Sequence, residues 1–258
     1  MKTFKFSTLL IAIASIFTFS SCLDDNDGTN LPTYSSYVTI AGDAFFGYTF
    51  YSDFGCILKP TQQSVQEVLP GLSKTDVKRA MVAFDLLNEA ENGKELKAGE
   101  IYDIVLRSSY YSNYAVPTYQ TIDIAGNAAA ADTLTANNKQ IYNVQQYIWA
   151  ANGYLNAQLT ISYDPDKQFY LNTFYDREKD IDVANNTLYL TLYYNHNSTN
   201  PYYQGNSVFS FDLPDEAASQ FKADSINVVL RSLTNSDYQI TEVGKCRMAL
   251  DDFFVPSY

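Results

Sequence analysis

A chain of 258 residues with a formal net charge of −12 is long enough to bury one large core or two small ones. It repels phosphate backbones and shows no basic patch, which excludes nucleic acid as a partner. A single histidine, set against 22 tyrosines, leaves hydrolytic chemistry of the Ser-His-Asp or Cys-His kind almost no material. In chain order, Lys2 and Lys5 precede an apolar run from Leu9 to Phe19, shorter than the roughly 20 residues that span a bilayer. A secretory signal peptide is therefore predicted over residues 1–21.

The stretch Phe19-Ser20-Ser21-Cys22 resembles the lipobox of bacterial lipoproteins, in which the cysteine becomes the first mature residue and carries acyl chains. Each buried methylene contributes about 0.8 kcal/mol, and two or more chains anchor stably where one is marginal. The partner implied for Cys22 is thus the outer membrane. Asp24, Asp25 and Asp27 follow directly. Such an acidic run resembles the export signal that carries Bacteroidetes lipoproteins to the cell surface. The expected location is the outer membrane facing the exterior, with a periplasm-facing anchor as the alternative. Residues 22–36 are predicted to be an acidic tether. The same acids lack the rest of an EF-hand pattern, so no metal and no cofactor is expected.

From there the dominant signal is period-two alternation, the mark of half-buried strands. Strands are predicted in "YVTIAG", "FFGYTFYSDFGCILK", "RAMVAFDLLN" and "EIYDIVLRSSYYS". One helical turn is expected at "SKTDVKRA", with Ser73 as its cap. These make a small β-domain over residues 37–124. Residues 125–140, "AGNAAAADTLTANNKQ", are small and polar; Gly126 and Asn127 argue for an exposed connector despite the helix propensity of alanine. Residues 141–258 then alternate again. Leu155, Ala157, Leu159 and Ile161 share one face of "YLNAQLTISY", and Leu188, Leu190 and Leu192 share one face of "TLYLTLYY". With "KQFYLNTFY", "SVFSFDL" and "INVVLRSL" this reads as an antiparallel β-sandwich, with a short helix after Pro214.

Candidate sites are few. Cys56 and Cys246 lie in strand-like apolar contexts and are a candidate disulfide in a compartment that permits one, the alternative being two free thiols. His196 sits in "YYNHNSTNPYYQGN", a loop shaped by Pro201 and Gly205. Tyr193, Tyr194, His196, Tyr202 and Tyr203 are the candidate binding loop, since tyrosine offers a rigid face and a hydroxyl. Asp164, Asp166, Asp176 and Asp180 read as solvated turn acids, not as the carboxylate pair of a glycosidase. Thr133 and Ser225, each preceded by Asp and followed by Leu or Ile, match the acceptor of the Bacteroidetes O-glycosylation system.

Taken together, "SSCLDDNDG", "RAMVAFDLLN…GEIYDIVLR" and "DTLTANNKQIYNVQQYIWAANGYLNAQLTISY" resemble the NigD-like lipoproteins of Bacteroidetes. That resemblance implies an N-terminal OB-like barrel followed by a C-terminal β-sandwich, a mainly β chain. It brings no catalytic residues, and only the lipidated Cys22 carries over; a link to bacteriocins follows from the family's name alone. The expected role is that of a non-enzymatic envelope lipoprotein acting through protein contact. The alternative is a glycan-binding accessory lipoprotein of a polysaccharide-uptake system, with Trp149 or the tyrosine loops as its reporters.

Overall fold

A computed structural model describes residues 32–70, 77–108, 113–233 and 239–253. Cys22, Asp24, Asp25 and Asp27 lie outside the described residues, as do Ser73 of the expected helical turn and residues 109–112 at the end of the expected strand "EIYDIVLRSSYYS".

The first alternating segments close into a barrel. β1 (Tyr34–Asp43), β2 (Gly47–Ser52), β3 (Ile57–Pro60), β4 (Arg79–Leu86) and β5 (Ile101–Leu106) run in the order β1-β2-β3-β5-β4, and β1 pairs back on β4. This is the five-stranded Greek-key arrangement of an OB-like domain. Closure removes the sheet edges that a small β-domain would otherwise expose. Val38, Phe50, Leu58, Val82, Phe84 and Ile104 fill the interior and are wholly buried. The tether is shorter than expected, because Tyr34 to Ser36 already pair with β4.

Between β3 and β4 lies α1 (Gln62–Val68), a helix the sequence reading missed. The Thr61 side chain accepts from the Ser64 N–H and caps its first turn, and Val65 drops into the barrel core. The sequence "RAMVAFDL" is strand β4, as expected; only its first two residues, Arg79 and Ala80, were shared with the expected helical turn. Phe45 and Phe46 differ as well. Read as the start of a strand, they stand in the turn between β1 and β2.

A short β6 (Tyr114–Ala115) ends the barrel sheet. The next two strands, β7 (Thr118–Tyr119) and β8 (Thr121–Asp123), pair in parallel with strands of the second domain. Residues 118–123, placed by the sequence reading in the first domain, therefore belong to the sandwich. The expected connector then holds a helix, α2 (Ala128–Asn137). Asn127, taken as evidence against a helix, is what starts it: its Oδ1 accepts from the Ala130 N–H, the usual N-cap bond.

Eight further strands and a short helix follow. They are β9 (Asn143–Ala151), β10 (Tyr154–Tyr163), β11 (Tyr170–Tyr175), β12 (Ile181–Asp182), β13 (Thr187–Asn195), β14 (Tyr203–Asp212), α3 (Asp215–Ala218), β15 (Ser225–Leu233) and β16 (Ile240–Ala249). One sheet runs β7-β14-β10-β9; the other runs β16-β15-β13-β11-β8, with β12 beside β13. Leu155, Ala157, Leu159 and Ile161 face Leu188, Leu190, Leu192 and the inward residues of β15 across a single core. The long pairings are mainly antiparallel, but β13 and β15 run parallel.

The two domains form one unit from Pro32 onward, and a buried polar cluster joins them. Arg79 of β4 is fully buried and grips Asp53 with both terminal nitrogens, at 3.0 and 2.6 Å. Its Nε donates to Ser210 of β14 at 3.1 Å, and Ser210 donates in turn to Asn156 of β10. The guanidinium also lies 5.0 Å from the centre of the Tyr154 ring. From the sandwich side, Trp149 Nε1 donates to Asp53 at 2.7 Å, and Asn152 donates to the carbonyls of Tyr51 and Ser52. A buried arginine is tolerable only when its donors are met. Here the partners come from both domains.

Candidate functional site

The two faces of β13 decide which tyrosines can meet a partner. Alternation continues past Leu192, so Tyr194 points into the sandwich core, where it is fully buried. Its hydroxyl donates to the Ser162 carbonyl, and burial pushes its pKa up to about 12. Tyr194 is thus removed from the candidate binding loop. Tyr193, on the other face, is half-buried.

His196 lies just beyond. Its Nδ1 accepts from the Ser198 N–H at 3.2 Å, and its ring meets the Tyr194 ring edge-on at 6.2 Å. Burial, assisted by the charge of Lys139, pushes its pKa below the ordinary histidine value. With both its ring neighbour and its acceptor nitrogen accounted for, it organises the loop. Ser198 donates to Asp164 at 2.9 Å, which ties this loop to the turn after β10. Asn197 takes the left-handed conformation, φ +46°, a region asparagine tolerates better than most residues.

What these contacts hold in place is a platform of three tyrosines at the end of the β10–β14 pair. Tyr202 and Tyr203 are exposed, at 63% and 47%, and their ring centres lie 4.4 Å apart. Tyr163 is directly opposite Tyr203 in register, with ring centres 5.9 Å apart. Gly205 makes room for it, since a Cβ there would sit 3.2 Å from the Tyr163 ring. Desolvation and the bond with Tyr203, together with nearby Asp164 and Asp166, push the Tyr202 hydroxyl pKa up, so Tyr202 stays neutral. Tyr163 was not among the residues singled out from sequence. Its signal was present, because an antiparallel hairpin places it against Tyr203.

The other candidates come apart. Asp176 and Asp180 are not solvated turn acids: Asp176 is buried to 9% exposure and bonds Lys179 at 2.5 Å, while Asp180 bonds Arg231 at 2.6 Å. The bond from Lys179 holds the Asp176 carboxyl below its usual range. Cys56 and Cys246 do not pair; both are free thiols. Cys56 lies in the barrel against Ser52 Oγ at 3.0 Å, whereas Cys246 sits on β16, where burial raises its pKa to about 12. Thr133 falls within α2, a helix and not an exposed loop. Ser225 Oγ accepts from Arg247 at 2.6 and 2.9 Å. Trp149 is engaged by Asp53 and lies 5.2 Å from the Tyr37 ring, so it reports on the domain junction and not on a loop ligand. Among the described residues, no group of three or more His, Cys, Asp or Glu side chains is placed to hold a metal.

Residues 127–242 match the family of NigD-like C-terminal beta sandwich domains. No curated protein matches the chain. Among solved structures, a putative toxin related protein from Parabacteroides distasonis ATCC 8503 is similar over 85% of this chain and 94% of its own, with 18% identity and a TM-score of 0.58. A protein of unknown function from Bacteroides vulgatus ATCC 8482 is similar over 83% and 89%, with 16% identity and a TM-score of 0.54. A NigD-like immunity protein from Bacteroides caccae ATCC 43185 is similar over 81% and 90%, with 19% identity and a TM-score of 0.50. At these identities the shared property is the fold, barrel and sandwich together. Residues 127–242 thus form a domain of the NigD-like C-terminal β-sandwich family.

Proposed function

We propose that the mature chain is a non-enzymatic lipoprotein, held at the outer membrane by acyl chains on Cys22 and displayed at the cell surface, that works by protein contact through the platform of Tyr163, Tyr202 and Tyr203. The observation that carries this reading is the exposed, touching pair Tyr202 and Tyr203 on a loop braced by Ser198 and Asp164. Rigid, half-exposed aromatic side chains lose little conformational freedom on binding and are the usual anchors of protein interfaces. A contact role also agrees with the names of two structural neighbours, an immunity protein and a putative toxin related protein.

The paired rings and the adjacent Ser198–Asp164 pair favour one second reading, the stacking and hydrogen bonding of a glycan. Pull-down from cell envelopes with wild type and with Tyr202→Ala/Tyr203→Ala separates the two. Contact through the platform predicts loss of a protein partner in the double variant, about thirtyfold or more in affinity if the pair contributes 2 kcal/mol. Unchanged recovery removes the platform from the interface. Saturable calorimetric binding of a polysaccharide, with no protein captured, transfers the site to glycans. Protease shaving of intact cells carrying wild type or Cys22→Ala tests display separately.

A further inference from the structure

The β1–β2 hairpin ends in a feature that the tyrosine platform does not use. Its tip is Ala44, Phe45 and Phe46, and the two phenylalanines are 93% and 94% exposed. Single exposed apolar residues are ordinary, but two adjacent rings standing almost entirely in water are not. The tip is also firmly built. Asp43 Oδ1 accepts from the N–H groups of both Phe45 and Phe46, at 2.7 and 2.8 Å. Gln62, at the start of α1, donates to the Ala44 carbonyl at 2.8 Å. Gly42 and Gly47, at φ +92° and +93°, pinch the hairpin so closely that a Cβ on Gly42 would lie 2.1 Å from the Gly47 carbonyl oxygen.

We propose that this tip is a membrane wedge: Phe45 and Phe46 insert into the interfacial layer of a zwitterionic lipid bilayer. A backbone group that leaves water for lipid must already have a partner. The N–H groups of both phenylalanines and the Ala44 carbonyl have theirs, so these three peptide groups do not depend on water when the rings enter. The shape fits lipid better than protein. An interface core needs surrounding contacts that exclude water, whereas the next exposed aromatic along the chain, Phe54 at 47%, lies beyond the far end of β2. The Asp43 carboxylate at the base of the tip disfavours anionic headgroups and selects zwitterionic ones.

The geometry of anchoring permits the contact, and here the inference rests on the proposed lipidation of Cys22. Residues 22–33 can span at most about 40 Å, whereas the 10-residue β1 separates the start of the fold from the tip by about 34 Å. An anchored chain can therefore lay the tip on the same bilayer. Two contacts, acyl chains and wedge, would then fix the orientation of the barrel and of the sandwich bound to it.

The test uses residues 23–258, which lack Cys22 but contain the whole unit from Pro32 with both cores. Flotation with phosphatidylethanolamine–phosphatidylcholine vesicles should recover the wild type. Phe45→Ala/Phe46→Ala should partition about 10- to 100-fold more weakly, the loss expected for two partly buried rings, with an unchanged circular dichroism spectrum. Phe45→Trp should be quenched by brominated lipid, while Trp149 in the wild type is not. Absence of wild-type flotation, or equal flotation of the double variant, overturns the proposal. A concentration-dependent dimer abolished by the double variant would assign the tip to a second copy of the chain and overturn it equally. Because Cys22 is absent from this protein, failure here leaves the anchoring reading untouched; that reading fails if labelled palmitate is not incorporated at Cys22.

Discussion

His196 shows how one contact fixes the chemistry of a side chain. The imidazole is packed against Tyr194, and partial burial disfavours the charged ring. Folding therefore selects the neutral form, and the unfolded chain binds the proton more tightly. Above the ordinary value of 6.5 both states are neutral and the contribution to stability is complete. As pH falls below that value it declines, levelling off once the folded state also protonates. With one histidine in the chain, a single imidazole resonance should titrate with a midpoint below 6.5, and His196→Asn should flatten the fall in melting temperature between about pH 7 and 5. A midpoint at or above the ordinary value would remove the burial argument. The alternation that buries Leu188, Leu190 and Leu192 already implied Tyr194 as the next inward position, so its place in the core was legible; clustering of tyrosines in sequence obscured it.

Elements differ in how plainly the sequence announces them. β10 and β13 were readable because each alternates apolar and polar residues over many positions. α1 was not, because seven residues hold too little periodicity to register and an isolated helix of that length does not form; Thr61 and the burial of Val65 supply its stability. The β1–β2 tip was masked in another way. Aromatic residues favour strands, so "AFFGYTFYS" reads as one strand unless the two flanking glycines are weighed. Those glycines make unequal demands. Gly42→Ala meets both a positive φ and the Gly47 carbonyl, whereas a Cβ on Gly47 meets nothing within 4 Å. Gly47→Ala should therefore cost about 1 kcal/mol from backbone strain alone. Gly42→Ala should cost clearly more, about 3 kcal/mol or above once the hairpin has to open. Denaturant unfolding of the two variants checks the order, and equal losses would mean that the hairpin relaxes freely.

At the scale of the whole molecule the sequence revealed two β-domains but not what joins them. Asp53, Arg79, Trp149, Asn156 and Ser210 are scattered over four strands and a turn, and no spacing rule brings them together. Arg79 opens the largely apolar strand "RAMVAFDL", which was the available clue, since a charge there needs a partner. Because the barrel supplies the ion pair and the sandwich supplies Ser210 and Trp149, neither domain leaves the other without uncovering a buried charge. Arg79→Ala should thus destabilise by about 3–5 kcal/mol, the cost of a stranded buried carboxylate. Asp53→Ala should lose a similar amount by stranding the guanidinium. The double variant should lose less than the sum, with a coupling of about 2 kcal/mol or more, because each truncation removes the burden the other creates. Loss of Asp53 also frees the Trp149 indole N–H, so its emission should shift to the red in Asp53→Ala. If the pair locks the domains, the wild type should melt in one cooperative transition, and either single variant in two. Additive losses with one intact transition would place the coupling elsewhere in the junction, in the Asn152 contacts to the β2–β3 turn or in the packing of Tyr37 on Trp149.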